Sequence, residues 1–276
     1  MTNAPVLAPD IPTPDAYWET MRPYLLPFSP DEQRVAVALY RELLKGAAVD
    51  DAQLGRALGM PPSKSRALLQ RDSIKNLVYA DREGRVLGFG GLSTAPMHHR
   101  FEVDRRELWT WCAWDSLFIP KILGRTARVA SPDPEGGELV RLVVSPNGIE
   151  SVEPPEAVIS LIRSDAQLLG TSAANLMAKF CHFIFFFSSQ ASGEQWVEKN
   201  PGTFLYSLDD AFALAKRFNA HNFGAELMHS LPQTLSTPKG MNVRPLPAGN
   251  SRSFAFWCRG WPIKRLLRAW TSPRAL

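Results

Sequence analysis

The pattern of apolar and polar positions predicts three helices in the first third of the chain. The first begins after Ser29, which can cap it, and carries apolar residues at helical spacing, among them Val35 and Leu39. Two further segments with the same spacing follow at about residues 51–58 and 63–69, separated by a break rich in glycine and proline.

A β-hairpin is predicted directly after these helices, with residues 77–80 and 85–89 as its strands. Three helices followed by a hairpin form the outline of a winged helix-turn-helix, which raises DNA binding as a hypothesis. The third helix offers cations that could contact phosphates: Lys64, Arg66, Arg71 and Lys75. A charged outer helix face is usually just solvated, however, and no dense basic cluster accompanies it, so we expect no nucleic-acid partner.

From Gly90 onward the pattern changes to short strands separated by turns. Candidate strands lie at residues 101–103, 127–131, 139–144, 148–152 and 158–162. Candidate helices lie at 172–179, at 189–199 and in a last amphipathic segment from 207 to 223. Strands and helices mix without regular alternation, which predicts an α+β fold: a winged-helix-like helical region packed on a mixed, largely antiparallel sheet with flanking helices.

These patterns divide the chain into four parts. Residues 1–26 form a proline-rich arm with one short helical piece, 27–90 the winged-helix-like region and 91–224 the α+β core. Residues 225–276 are basic and aromatic, and a loosely docked extension is the favoured interpretation. Contact of this tail with a membrane surface or a partner is the alternative.

Composition and charge add limits on location. The 276 residues carry a formal charge of only +4, and three cysteines are too few for a disulfide scaffold, so a reducing cytoplasm is the expected compartment. The first residues lack the basic and apolar regions of a secretion signal. The longest apolar run, Phe180–Phe187, is well short of the ~20 residues that span a bilayer, so no membrane association is expected.

Candidate chemistry begins in the stretch from Leu108 to Phe118, where Cys112 lies three residues before Asp115. If Cys112 opens a helix that ends near Gly124, thiol and carboxyl share one face, and the helix N-terminus lowers the thiol pKa from about 8.5. A buried cysteine and a capping aspartate are the ordinary explanation of this spacing. Nearby aromatic residues are expected to screen the pair from water: Trp109, Trp111 and Trp114.

A second stretch, residues 179–189, is a short aromatic run typical of a buried strand, with Cys181 near its beginning. Together the two stretches resemble the organomercurial lyase (alkylmercury lyase) family of bacterial mercury-resistance systems. The residues that match the two family blocks are Trp111, Cys112, Ala113, Asp115, Ser116 and Leu117, and then Phe180, Cys181, Phe186 and Phe187. The resemblance extends from about residue 27 to residue 223.

This resemblance implies that the chain cleaves the carbon–mercury bond of organomercurials by protonolysis, giving a hydrocarbon and Hg(II). Cys112 and Cys181 would bind mercury, for which thiolates are suitable soft ligands. Asp115 would relay the proton to the leaving carbon, with a pKa raised by an apolar pocket. Trp111 and Phe180 are the expected walls for the organic group.

The resemblance also implies which small molecules and partners take part. No organic cofactor is expected, because the sulfurs and the carboxyl supply the reaction. Free cytosolic thiols such as cysteine or glutathione, or a mercuric reductase, would remove the product Hg(II).

Other functions remain open from the sequence. A winged-helix regulator that senses mercury or another metal through two cysteines is the main alternative, and it has no need of Asp115. A thiol oxidoreductase is not supported, since no Cys-x-x-Cys motif is present. A zinc site is not favoured either. The three histidines that could bind zinc do not have the spacing to the cysteines that zinc sites show: His98, His99 and His182. The last of these stands where some family members carry another cysteine.

Overall fold

The computed structural model describes residues 11–25, 27–163 and 172–229, with side chains as far as Gly224. Most of the predicted tail, including Cys258, lies outside these residues. The helices are α1 (Pro14–Met21), α2 (Pro30–Leu43), α3 (Asp51–Leu58), α4 (Pro62–Leu69), α5 (Asp72–Lys75), α6 (Asp115–Leu123), α7 (Ala173–Lys179), α8 (Gln190–Lys199) and α9 (Leu208–His229). None of these helices has the length and apolar content of a membrane span.

The strands form two antiparallel sheets. They are β1 (Val78–Ala80), β2 (Val86–Phe89), β3 (Leu92–Ser93), β4 (His99–Val103), β5 (Arg106–Thr110), β6 (Ala127–Pro132), β7 (Leu139–Val144), β8 (Ile149–Glu153), β9 (Val158–Ile162), β10 (Phe186–Phe187) and β11 (Thr203–Ser207). Eight pair in the order β1-β2-β3-β5-β4-β6-β7-β8, and three in the order β10-β9-β11. The predicted α+β class is confirmed, with antiparallel pairing throughout both sheets.

The helical region follows the sequence pattern closely. The backbone N–H of Ser29 donates to the Glu32 carboxylate at 2.8 Å in a capping box that opens α2, and β1 and β2 form the predicted hairpin. This hairpin is the end of the eight-stranded sheet, so the predicted boundary near residue 90 falls between two strands of one sheet. The winged-helix assignment itself stays a prediction. Three of the four cations considered for DNA form ion pairs: Arg66 with Asp51, Arg71 with Glu32 and Lys75 with Asp72.

Helix α9 joins the helical region to α6. Phe218 of α9 stacks on Phe118 of α6 with ring centroids 4.5 Å apart, and the Asn219 side chain donates to the Phe118 carbonyl oxygen at 2.9 Å. Further along α9, the ring of Phe223 packs edge-on against the ring of Phe28, which precedes α2, with the ring centroids 5.3 Å apart. Burial of each such aromatic side chain contributes about 1.5–3 kcal/mol. This packing fixes α6, the helix whose first residue is Asp115.

The long strand predicted over residues 179–189 is wrong. A 3₁₀ turn at Cys181–Phe183 follows α7, and only Phe186 and Phe187 pair as a strand. Aromatic residues favour burial as much as they favour an extended backbone, so a buried turn gives the same sequence pattern. Three strands without a sequence prediction, β3, β5 and β11, complete their sheets.

Candidate active site

Cys112 lies in a tight turn between β5 and α6, three residues before the helix begins. The expectation that it opens the helix is therefore wrong, although Gly124 ends α6 in a left-handed conformation as predicted. The turn is held by side chains: the backbone N–H of Cys112 donates to the Asp115 carboxylate at 2.8 Å, and the Thr110 hydroxyl donates to the Cys112 carbonyl oxygen at 2.9 Å. The same hydrogen bond that shapes the turn brings the carboxylate back to the cysteine.

The turn that follows α7 brings Cys181 next to Cys112. The backbone N–H of Ile184 donates to the Cys181 carbonyl oxygen at 3.1 Å, and the Ala113 N–H donates to the Ile184 carbonyl oxygen at 3.1 Å. The Ser160 hydroxyl, from β9, donates to the carbonyl oxygen of Phe183 at 2.7 Å. Two loops that are distant in sequence are thus joined by a backbone hydrogen bond, from Ala113 to Ile184, next to both thiols.

The three predicted site residues meet in one buried cluster. The sulfurs of Cys112 and Cys181 and a carboxylate oxygen of Asp115 all lie within 4.8 Å of one another. The exposed fractions are 0%, 4% and 7% respectively, and neither cysteine is in a disulfide. In the part of the chain that the structure describes, no other group of three histidine, cysteine, aspartate or glutamate side chains is arranged to hold a metal ion. The expected proximity of the two thiols is confirmed.

Burial controls the protonation of this cluster. It raises the pKa of Asp115 to about 7, and hydrogen bonds from the thiol and backbone N–H of Cys112 only partly oppose that effect. Burial also raises the pKa of Cys112 well above its ordinary value, helped by the neighbouring thiol and carboxylate. The hydrogen bond with Cys112 lowers the pKa of Cys181, but burial and the Asp115 charge outweigh it and the net change is upward. The raised pKa of the aspartate was predicted, whereas the lowered pKa predicted for the Cys112 thiol is wrong, because burial raises it.

The raised pKa of Asp115 gives a testable dependence of stability on pH. The unfolded chain releases this proton near pH 3.8 and the folded protein near pH 7, so folding takes up a proton between these values. We expect the free energy of unfolding, relative to the Asp115→Asn variant, to fall by on the order of 4 kcal/mol from pH 4 to pH 7 and to stay level above. Denaturant unfolding of both proteins across this range measures the difference, and parallel pH curves would contradict it.

The three tryptophans predicted to screen the cluster from water lie in three different surroundings. Trp111 is 6% exposed and its indole N–H has no hydrogen-bond partner among the described residues. Trp114 donates its indole N–H to the Ala211 carbonyl oxygen of α9 at 3.1 Å, so it is part of the packing behind α6. Trp109 lies on the face of β5 opposite the buried Leu108 and Thr110. Phe180, 5% exposed, directly precedes Cys181. The substrate-binding roles of Trp111 and Phe180 stay predictions.

The histidines outside the cluster have ordinary partners. His98 hydrogen-bonds the carbonyl oxygen of Pro132 at 2.8 Å, and the buried His99 hydrogen-bonds the Ser131 hydroxyl at 2.8 Å. His182 is exposed and packs edge-on against the ring of Phe183, which follows it in the chain. One residue that sequence reasoning passed over, Gly91, lies against Asp115, and its only signal in the sequence is a Gly-Gly pair between two strands.

Comparisons with known proteins agree on one family. The family model described as alkylmercury lyase matches residues 92–219. The alkylmercury lyase of Staphylococcus epidermidis is 36% identical over 186 residues, which cover 66% of this chain and 82% of the relative. That of Bacillus cereus is 36% identical over 182 residues, covering 64% and 79%. That of Pseudomonas putida is 35% identical over 178 residues, also covering 64% and 79%.

A solved structure supports the fold. The crystal structure of the mercury-bound form of MerB2 superposes with a TM-score of 0.59, covering 73% of this chain and 98% of that one. The sequences are 19% identical over the superposed part, so this likeness concerns the arrangement of helices and sheets alone.

Proposed function

The chain belongs to the alkylmercury lyase family, and on that premise we propose that it is an enzyme that cleaves the carbon–mercury bond of organomercurials, giving a hydrocarbon and Hg(II). The observation that carries the proposal is the cluster of two thiols and one carboxylate within 4.8 Å. Thiolates are the protein ligands that suit a soft cation such as mercury, and a buried carboxyl supplies the proton that the leaving carbon needs.

The first half of the reaction loads mercury onto the protein. An organomercurial arrives as the complex of RHg⁺ with a small thiolate, and one of Cys112 and Cys181 displaces that thiolate, its own proton passing to the leaving thiol. The second cysteine then gives its proton to the Asp115 carboxylate and adds to mercury as a thiolate. Raised thiol pKa values keep both sulfurs protonated until mercury binds, so each sulfur loses its proton as the metal takes its place.

The second half breaks the bond. Two thiolates push electron density onto mercury and weaken its bond to carbon. Asp115 donates its proton to the carbon, the electron pair of the carbon–mercury bond forms the new carbon–hydrogen bond, and the hydrocarbon leaves. Asp115 is again a carboxylate and Hg(II) stays on the two sulfurs, with no change of oxidation state. A carboxyl of pKa about 7 suits this exchange, since general acids work best when their pKa is near the working pH.

Product release and the organic group complete the proposal. Two free thiols, such as cysteine or glutathione, take Hg(II) from the sulfurs and return their protons, or a mercuric reductase receives the metal, in a reducing cytoplasm. No organic cofactor takes part in these steps. Trp111 and Phe180 bound the space for the alkyl or aryl group.

The proposal is tested with phenylmercury and an excess of cysteine or glutathione. We expect the purified protein to release benzene over many turnovers, because free thiol regenerates the two cysteines after each cycle. Gas chromatography of the headspace measures benzene, and a reaction in which the protein is omitted gives the background rate. Tight mercury binding without benzene above background would favour the metal sensor instead.

A further inference from the structure

A turn of two glycines joins β2 to β3 beside the cluster. Phe89 pairs with Leu92 across the turn, and Gly90 and Gly91 have φ of +47° and +99°. Positive φ at both central residues is characteristic of a type I′ hairpin turn, which favours glycine whatever lies next to it. Backbone geometry therefore explains a glycine at either position and says nothing about the chemistry.

The surroundings of Gly91 add a second, independent requirement. A Cβ built on Gly91 would lie 2.5 Å from Cγ, 2.6 Å from Oδ1 and 2.8 Å from Cβ of Asp115, where ordinary contact is 3.4–4 Å. Gly202 has nearly the same backbone angle, φ of +93°, but a Cβ there would meet nothing within 4 Å. The Asp115 carboxyl thus occupies the space that any side chain at residue 91 would need.

Two hydrogen bonds to its carbonyl oxygens hold the Gly90–Gly91 turn in place. The Tyr40 hydroxyl, from α2, donates to the Gly90 carbonyl oxygen at 2.6 Å, and the backbone N–H of Trp111 donates to the Gly91 carbonyl oxygen at 2.8 Å. With the backbone of the glycine turn fixed by these bonds, a side chain at residue 91 would displace the Asp115 carboxyl, which can rotate. Because the Asp115 Cβ would also be only 2.8 Å away, the start of α6 that carries it would have to shift as well.

We propose that Gly91 is a positioning residue for the reaction: its missing side chain sets where the Asp115 carboxyl stands against the two thiols. This inference rests on the proposed function. A Cβ at residue 91 moves the carboxyl by roughly 1 Å from the position in which it accepts the hydrogen bond of the Cys112 backbone N–H, and a displacement of that size can cost about 10²-fold in rate.

Gly91→Ala tests the inference. We expect kcat for benzene release from phenylmercury to fall about 10²-fold, with KM changed by less than about threefold, because both sulfurs remain to bind mercury. Binding of one Hg(II) per chain should persist in the variant. Wild-type protein must release benzene in the same assay; if it does not, the proposed function has failed and not the role of Gly91.

Gly202→Ala is the matched control, since it places an alanine at nearly the same φ where its Cβ meets nothing within 4 Å. Both alanines should lower the melting temperature by a few degrees. Only Gly91→Ala should lower kcat when activity is measured well below either melting temperature. Equal kcat values for the two variants would show that the turn needs glycine for its backbone alone and would overturn the inference.

Failure of Gly91→Ala to fold is also informative. The double variant Gly91→Ala/Asp115→Gly removes the atoms that the new Cβ would meet. Recovery of folded protein, seen as a cooperative melting transition, supports competition between the two side chains for one space. Asp115→Gly alone is the reference, because the lost carboxylate also accepts the hydrogen bond that holds the Cys112 turn. Continued misfolding of the double variant beside a folded Asp115→Gly protein means that the backbone angle or another neighbour excludes a side chain at residue 91, and the inference is then wrong.

Discussion

Replacing Cys181 by serine is expected to reduce benzene release to the background rate. The hydroxyl of serine is a harder and far less acidic ligand than a thiol, so it neither holds mercury nor loses its proton to Asp115. Without a second thiolate the carbon–mercury bond is not weakened. Residues that act together as one catalytic unit lose about 10⁴–10⁶-fold in kcat when one is removed, and we expect a loss of this order.

The third cysteine provides the control for this variant. Cys258 lies outside the described residues and in no motif of the family, so Cys258→Ser should keep activity within about twofold of wild type. Cys112→Ser should match Cys181→Ser, because each sulfur is equally necessary. Benzene release per hour at saturating phenylmercury compares all three. Substantial turnover by Cys181→Ser, or a large loss in Cys258→Ser, would move the mercury site elsewhere in the chain.

Much of the fold could be predicted from local patterns. The capping box at Ser29 and the left-handed Gly124 mark helix ends through their own backbone requirements, so these boundaries are visible in the sequence. β6 and β7 alternate buried and half-buried positions at period two. The hairpin of β1 and β2 is marked by the turn residues between its strands. Such features depend on neighbours within a few positions.

Other features depend on contacts that are distant in sequence. The two-residue strand at Phe186 is extended because it pairs with Ile159 of β9, and the turn before it is held by Ser160. Nothing within residues 179–189 distinguishes that arrangement from one long strand. β11 is likewise defined by pairing with β9, from Thr203 opposite Ile162. Tertiary pairing decided these segments, and local propensity could not.

The candidate site also has features that are visible in the sequence and features that depend on the fold. The stretches that resemble the family indicate Cys112, Asp115 and Cys181 as candidates, and the chemistry of mercury explains why a lyase would need such groups. Their electrostatics depend on the fold: the thiol pKa expected to be low is raised, because complete burial outweighs any effect of the nearby helix. Gly91 could not be found from spacing, since its significance is a contact with a residue 24 positions later (115 − 91).

The prediction that most directly separates a lyase from a metal sensor concerns Asp115→Asn. The amide has nearly the shape of the acid. Its oxygen can still accept the hydrogen bond from the Cys112 backbone N–H, which is 2.8 Å long with the aspartate. An amide also carries no charge to bury, so the variant should be at least as stable as wild type above pH 7. Both thiols remain, and the affinity for Hg(II) should change little.

Catalysis should nevertheless fail in this variant, because an amide cannot take a proton from a thiol and pass it to carbon. Loss of a general acid typically costs about 10²–10⁴-fold, and we expect benzene release to fall by at least that factor while Hg(II) binding persists. Both quantities are measured on one preparation, with a melting curve to establish that it is folded. A sensor would be indifferent to the substitution. Unchanged benzene release by folded Asp115→Asn would therefore remove the proton relay from Asp115 and require another buried donor near the two sulfurs.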